Sequence, residues 1–309
     1  MKYSIVFPGQ GSQSIGMLSD LSSNFSIVSE IFQEASDALG VDLWKIAQED
    51  QEALNLTENT QPIMLAAGYA TYKVLSNEVK LLPVCMAGHS LGEYTALVAS
   101  KSLNFFDAVK LVRRRAELMQ SAVPSGTGAM AAILGLDDEK VIEICTQSNI
   151  SGVVEAVNFN SPGQVVIAGE KEAIKSACES MKGAGAKRAL VLPVSVPSHC
   201  SLMNDAAQEF SHSVDAVNFK MGETRVLHNI DASYADDANE IKLKLVGQLY
   251  KPVLWTSLVQ KMQQLGVEKL IELGPGKVLA GLTRRIDKSL SSFAVIDTAS
   301  LQSTIEEIA

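Results

Sequence analysis

The pentapeptide Gly88-His89-Ser90-Leu91-Gly92 has the form G-x-S-x-G. It follows the apolar run Leu82 to Ala87 and precedes the helix-patterned Glu93 to Ala99. In that setting a strand turns sharply into a helix and lifts a serine hydroxyl out of a sheet. The turn leaves room only for glycines on either side, and the helix N-terminus presents unpaired N–H groups beside the hydroxyl. The chemistry this permits is nucleophilic acyl transfer through Ser90. The plainer alternative is a chance pentapeptide whose serine caps a helix; placement after a buried strand argues against it.

A serine at its free pKa is a weak nucleophile and needs a base within hydrogen-bond reach, most often histidine. The chain has four: His89, His199, His212 and His228. His89 adjoins Ser90 and points away from the hydroxyl, His212 lies in the helix-patterned stretch Leu202 to Val217, and His228 follows a predicted strand. His199, in Val196-Pro197-Ser198-His199-Cys200, stands at the predicted exit of an inserted segment, on the rim of a cleft. Position favours it, with a capping or surface histidine as the equal alternative. No third acid stands out, since Asp107, Asp137 and Asp138 all look like helix-start residues. A backbone carbonyl is the remaining way to orient the imidazole.

Attack on an ester or thioester creates an oxyanion, and each preorganised N–H donor contributes about 2.7–4 kcal/mol to its stabilisation. The Leu91 N–H is one candidate, and the glycine-rich turn Pro8-Gly9-Gln10-Gly11-Ser12 is the place to find a second. That turn does not read as a dinucleotide site: Gly9-Gln10-Gly11-Ser12-Gln13-Ser14 ends in serine where G-x-G-x-x-G needs glycine. Gly274-Pro275-Gly276-Lys277 lacks the leading glycine and trailing Ser/Thr of a P-loop and reads as a tight strand-to-helix turn. Neither a nicotinamide nor a metal is expected, because the histidines and cysteines show no ligand spacing.

Helical periodicity over Phe105 to Met119 puts Ala108, Val109, Val112, Ala116 and Met119 on one apolar stripe and Arg115 on its edge. A buried guanidinium needs a partner, and its planar fork suits a carboxylate. A salt bridge within the protein or a snorkelling side chain is the bland reading.

The elements that must position these residues are short β-rich runs alternating with longer helical patterns, an α/β architecture with mostly parallel strands. Tyr3 to Phe7, Val84 to Ala87, Val226 to Ile230, Lys269 to Leu273 and Phe293 to Ile296 read as strands, each leading to a turn or helix. The middle differs. Ala129 to Leu134, Val153 to Asn158, Val165 to Ala168 and Arg188 to Val194 are strand-like, with helical patterns after Asp137 and Glu170. That βαββαβ order resembles a ferredoxin-like unit, with Asn160-Ser161-Pro162-Gly163 as its hairpin turn. The expected division is 1–124 with 196–309 as a large discontinuous α/β domain, and 125–195 as a small inserted one.

The chain has 309 residues, 47% of them hydrophobic and 20% charged, which excludes disorder. No run approaches the roughly 18 apolar residues of a membrane helix, and Pro8 and Gly9 interrupt any signal-peptide core, so the expected location is the cytoplasm. A net charge of −9 is a poor balance for gripping phosphate backbones, so nucleic acid is not an expected partner. Cys85, Cys145, Cys178 and Cys200 are too sparse for a disulfide framework. Monomer is the default expectation.

Taken together, these motifs resemble the malonyl-CoA:acyl carrier protein transacylase family of bacterial type II fatty acid synthesis. The resemblance rests on FPGQGSQ at Phe7 to Gln13, TQP at Thr60 to Pro62, GHSLGEY at Gly88 to Tyr94 and GTGAMAA at Gly126 to Ala132. It extends through NFNSPGQVVIAG at Asn158 to Gly169, VPSH at Val196 to His199, QLYKPV at Gln248 to Val253 and ELGPGKVLAGL at Glu272 to Leu282. It implies Ser90 as nucleophile, His199 as base, and the Gln10 and Leu91 N–H groups as oxyanion hole. It implies the Gln248 carbonyl as the group that orients the histidine, with a lesser part for that side chain. Arg115 matches the arginine that holds the free malonyl carboxylate, and Gln61 and Asn160 match positions lining the acyl pocket. The implied fold is a hydrolase-like core with a ferredoxin-like insertion. The implied partners are malonyl-CoA and an acidic acyl carrier protein, docked on a basic patch such as Lys187 with Arg188, or Arg284 with Arg285 and Lys288.

Overall fold

The computed structural model describes residues 2–147, 150–194 and 196–308. Ser195, the last residue of the expected insertion, lies outside the described residues. Nine strands are described: β1 (Tyr3–Phe7), β2 (Met86–Gly88), β3 (Gly128–Leu134), β4 (Val154–Ser161), β5 (Gln164–Glu170), β6 (Arg188–Val191), β7 (Val226–Leu227), β8 (Lys269–Leu273) and β9 (Ser291–Val295). They form a five-stranded sheet of order β7-β2-β1-β8-β9 and a four-stranded sheet of order β4-β5-β3-β6.

Every pairing in the larger sheet is parallel. Its central strands β1 and β8 are buried at all five positions, as strands covered by helices on both faces must be. Ligand sites of such sheets lie beyond the carboxyl ends of the strands. Here that edge carries the Pro8-Gly9-Gln10 turn after β1, the serine turn after β2, His228 and Asn229 after β7, and the Gly274-Pro275-Gly276 turn after β8. Gly274 and Gly276 have φ of 133° and 81°, and the helix Val278–Ile286 follows them.

The smaller sheet is antiparallel throughout. Its strands alternate with period two. Ala131, Ile133, Val165 and Ile167 face the helices Asp138–Cys145 and Lys171–Gly183 in a core of their own. Met130, Val166 and Ala168 face the other way and pack on Cys200 and Leu202. The outer face of this sheet thus supports the segment that carries His199. A second join runs through β4, where Phe159 N–H donates to the Val253 carbonyl and Val253 N–H to the Val157 carbonyl.

Several boundaries differ from expectation for local reasons. The expected strand Val226 to Ile230 stops at Leu227, because His228 and Asn229 leave the sheet to bond with groups beside Ser90. β6 ends at Val191 rather than Val194, as two prolines follow. The four-residue hairpin turn shrinks to Pro162-Gly163. Ser161 pairs with Gln164 and Gly163 takes φ of 71°, so Asn160 belongs to β4 and not to a loop.

Candidate active site

Ser90 sits between β2 and the helix Gly92–Ala99 with φ of 50°, a conformation uncommon for a side-chain-bearing residue. The flanking glycines are obligatory. A Cβ on Gly88 would lie 1.9 Å from the Gly92 carbonyl carbon, and one on Gly92 would lie 2.1 Å from the Phe7 oxygen. The turn after β1 presses on the same place, since a Cβ on Gly9 would meet the His89 oxygen at 2.5 Å. Gln10 is thereby brought next to the serine turn. Among the described residues, no protein acceptor is recorded for the backbone N–H of Gln10 or of Leu91.

The Ser90 hydroxyl lies 2.8 Å from His199 Nε2, and His199 Nδ1–H donates to the Gln248 carbonyl at 2.6 Å. The second bond fixes the tautomer: with Nδ1 protonated, Nε2 presents a lone pair to the hydroxyl. His199 has φ of 68° and is pinned by its own N–H to the Leu249 carbonyl. Burial, then the charge of Arg115, push its pKa down to about 3 against the opposing Gln248 bond. The imidazole is therefore neutral at any physiological pH, with its Nε2 lone pair free to face the hydroxyl.

Arg115 is 1% exposed, on the helix Phe105–Ser121. Its guanidinium donates to Gln61 Oε1 at 2.9 Å, to Gln248 Oε1 at 3.0 Å and to the Ser90 hydroxyl at 3.4 Å, and it lies over the Tyr94 ring. Its Nε is buried without a partner, and among the described residues no carboxylate forms an ion pair with it. A buried cation held only by neutral groups beside a nucleophile is an anion site in waiting. The salt-bridge and snorkelling readings of Arg115 do not describe it.

Of the other histidines, His89 and His212 are placed as the sequence reads, while His228 lies past the shortened β7. His89 turns from Ser90, bonding Asn160 Oδ1 through Nε2 at 2.8 Å and packing at a tilt on Trp255. His212 lies on the helix Asn204–Asp215, and His228 is buried. Gln61 is buried against Arg115, whereas Asn160 is engaged with His89. Among the described residues, no group of three or more His, Cys, Asp or Glu is arranged to hold a metal ion.

The acyl transferase domain family matches residues 4–300. The malonyl CoA-acyl carrier protein transacylase of Haemophilus influenzae is 53% identical over 307 residues, covering 99% of this chain and 98% of that one. The chain belongs to the malonyl CoA-acyl carrier protein transacylases. A solved malonyl-transacylase in complex with a holo type II PKS acyl-carrier protein superposes with a TM-score of 0.98 at 49% identity, over 99% of this chain and 100% of that one. An acyl carrier protein S-malonyltransferase from Vibrio cholerae gives 0.96 at 51% identity, over 98% and 100%.

Beside the carbonyl bond to His199, the Gln248 side chain is itself engaged: fully buried, it donates through Nε2 to the Ser90 carbonyl at 3.0 Å and to Glu93 Oε2 at 2.8 Å while its Oε1 accepts from Arg115. Sequence reasoning also missed Asn229, whose Oδ1 accepts from the Ser90 N–H at 2.7 Å and whose Nδ2 donates to the Gly88 carbonyl at 2.7 Å. It missed Glu93 as well. The available signal was a lone acid in a helix whose eight residues are all buried.

Proposed function

We propose that this chain transfers the malonyl group of malonyl-CoA to the pantetheine thiol of an acyl carrier protein, supplying extender units for fatty acid synthesis in the cytoplasm. The observation that carries the reading is the carboxylate-free Arg115 guanidinium beside the Ser90 hydroxyl. A malonyl thioester is an acyl donor with a free carboxylate at its far end, and this site sets a nucleophile directly beside a buried cation.

The steps use the chain's own groups and two thiols. His199 Nε2 takes the Ser90 proton as Oγ attacks the thioester carbonyl, and the Gln10 and Leu91 N–H groups receive the oxyanion. The tetrahedral adduct collapses with loss of the CoA thiolate, which takes the proton from His199. The result is a malonyl ester on Ser90. In the second half the carrier thiol gives its proton to His199 and attacks the ester, and the proton returns to Ser90 as it leaves. Throughout, the Gln248 carbonyl holds Nδ1 and stabilises the transient imidazolium. Gln61 steadies Arg115, and Asn160 lines the pocket wall through His89.

The residue ranges 1–124 with 196–309, and 125–195, act in this reading as a catalytic domain and an inserted domain, in a monomer. The smaller sheet's separate core supports the division. Carrier docking falls on exposed basic residues: Lys187 with Arg188, or Arg284 with Arg285 and Lys288.

The test is intact-protein mass after brief mixing with malonyl-CoA, then with carrier protein, for the native chain and Ser90→Ala. A malonyl adduct that requires Ser90 and moves to the carrier is the expected result. An adduct lost to water as fast without carrier as with it points to a thioesterase, and no adduct at all removes the reading.

A further inference from the structure

A buried cation and a buried anion face each other across one amide. Arg115 donates to Gln248 Oε1 at 3.0 Å, and Gln248 Nε2 donates to Glu93 Oε2 at 2.8 Å. Glu93 is wholly buried and in no direct ion pair with Arg115. Its other contacts hold it back: His228 Nδ1–H donates to Oε1 at 2.7 Å, and the Asn229 N–H donates to Oε2 at 2.9 Å. Three donors thus fill a group that, as a carboxylate, only accepts.

This arrangement sets which way the Gln248 amide points. An amide can rotate by half a turn at little steric cost, exchanging its oxygen and nitrogen. With a carboxylate on one side and a guanidinium on the other, only one orientation satisfies both. Reversed, the NH₂ would face the arginine and the oxygen would face both the acid and the Ser90 carbonyl, leaving buried repulsive contacts on each side. The same residue lends its main-chain carbonyl to His199 at 2.6 Å and donates from Nε2 to the Ser90 carbonyl. Base, nucleophile turn and cation therefore converge on Gln248, and Gln248 is held by Glu93.

We propose that Glu93 is the positioning residue that sets malonyl selectivity, by locking the Gln248 amide so that its oxygen steadies Arg115 while its carbonyl steadies His199. The proposal rests on the transacylase reading of Ser90, His199 and Arg115. Glu93 touches no substrate. It compensates the charge of Arg115 through an intervening amide, which leaves the guanidinium's remaining donors free for an incoming carboxylate. A direct Glu–Arg pair would consume them.

Glu93→Gln tests this at constant shape. It offers one oxygen to three donors and removes the charge that orients Gln248. The readouts are kcat/KM for malonyl-CoA and for acetyl-CoA in transfer to carrier protein, with Ser90→Ala as control. The expected loss is roughly ten- to a hundredfold for malonyl and several-fold less for acetyl, so the preference narrows. Gln248→Met keeps the carbonyl and deletes the amide. It should narrow the preference in the same way, and adding Glu93→Gln to it should cost less than about threefold more. If Glu93→Gln does not fold, Glu93→Asp reads the preference in its place, since its shorter side chain draws the carboxylate back from the Gln248 amide. An unchanged malonyl-to-acetyl ratio, or an equal loss for both thioesters, overturns the proposal. With Ser90→Ala inactive in the same assay, that outcome leaves the transacylase reading standing. Transfer that survives in Ser90→Ala removes both.

Discussion

Gln248 and Ser90 are bound to each other at 3.0 Å through the glutamine amide and the serine carbonyl, while the glutamine's own carbonyl holds the histidine that faces the serine hydroxyl. The main chain and side chain of one residue thus fix both partners of the proton transfer. No acid is needed as third member, which agrees with the absence of a persuasive aspartate in the chain order.

The pH dependence follows from His199. A base pushed down to about 3 from its ordinary 6.5 is neutral across the neutral range, so the acid limb of kcat/KM for acylation lies well below pH 6.5. Arg115 is one cause of the lowering, so Arg115→Gln moves the limb upward. The stability consequence has the same sign. Between about 3 and 6.5 the unfolded chain binds a proton at this position that the folded chain does not, so this contribution is complete above pH 6.5 and lost as pH falls. Rapid-quench acylation across pH and denaturation at pH 7.5 and 5 check both. A limb near 6.5 contradicts the neutral, buried base.

Arg115→Ala removes a charged donor that lies 3.4 Å from the Ser90 hydroxyl. Hydrogen bonds to charged groups are worth about 1.5–3 kcal/mol, so kcat/KM for malonyl-CoA should fall roughly tenfold to a hundredfold. Acetyl-CoA, which has no carboxylate, should lose far less. Equal losses remove Arg115 from selectivity.

Gly9→Ala places a methyl 2.5 Å from the His89 oxygen, and backbone cannot yield as a side chain would. The turn carrying Gln10 must shift from the serine turn. The expected result is a drop in kcat of about 10²–10³, the size of one lost oxyanion donor, with little change in KM. Normal kcat in a folded Gly9→Ala protein would take the Gln10 N–H out of the oxyanion hole.

Carrier docking is read by charge reversal. Arg284→Glu with Lys288→Glu, or Lys187→Glu with Arg188→Glu, should raise KM for the carrier and flatten its salt dependence, leaving malonyl-CoA acylation unaltered. A carrier KM that ignores both pairs of reversals rules out these surfaces.

Much of this site was legible because its constraints are steric and local. Gly88, Gly92 and Gly9 stand where a Cβ would strike backbone, and a sequence shows a glycine directly. Arg115 was legible through period, since the apolar stripe of its helix leaves one face for it. What stayed hidden depends on contacts distant in the chain. Glu93 meets residues 135 and 136 positions away, and nothing in a one-dimensional pattern says that His228 and Asn229 abandon their strand to reach it. The bonds of the Gln248 amide are hidden for a related reason: the resemblance points to its main-chain carbonyl, and the amide's partners lie far away in the chain. Asn160 reads as a turn residue because Asn, Ser, Pro and Gly all favour turns, whereas two residues suffice for this hairpin.

The bond between His89 and Asn160 crosses from the larger sheet's serine turn to β4 of the smaller sheet. It lies one residue from the nucleophile. The seat of the nucleophile is thus also a seam between the two sheets, tied here as well as at the Phe159–Val253 join. A substitution on β4 of the smaller sheet therefore reaches the neighbour of Ser90 without altering any residue of the larger one.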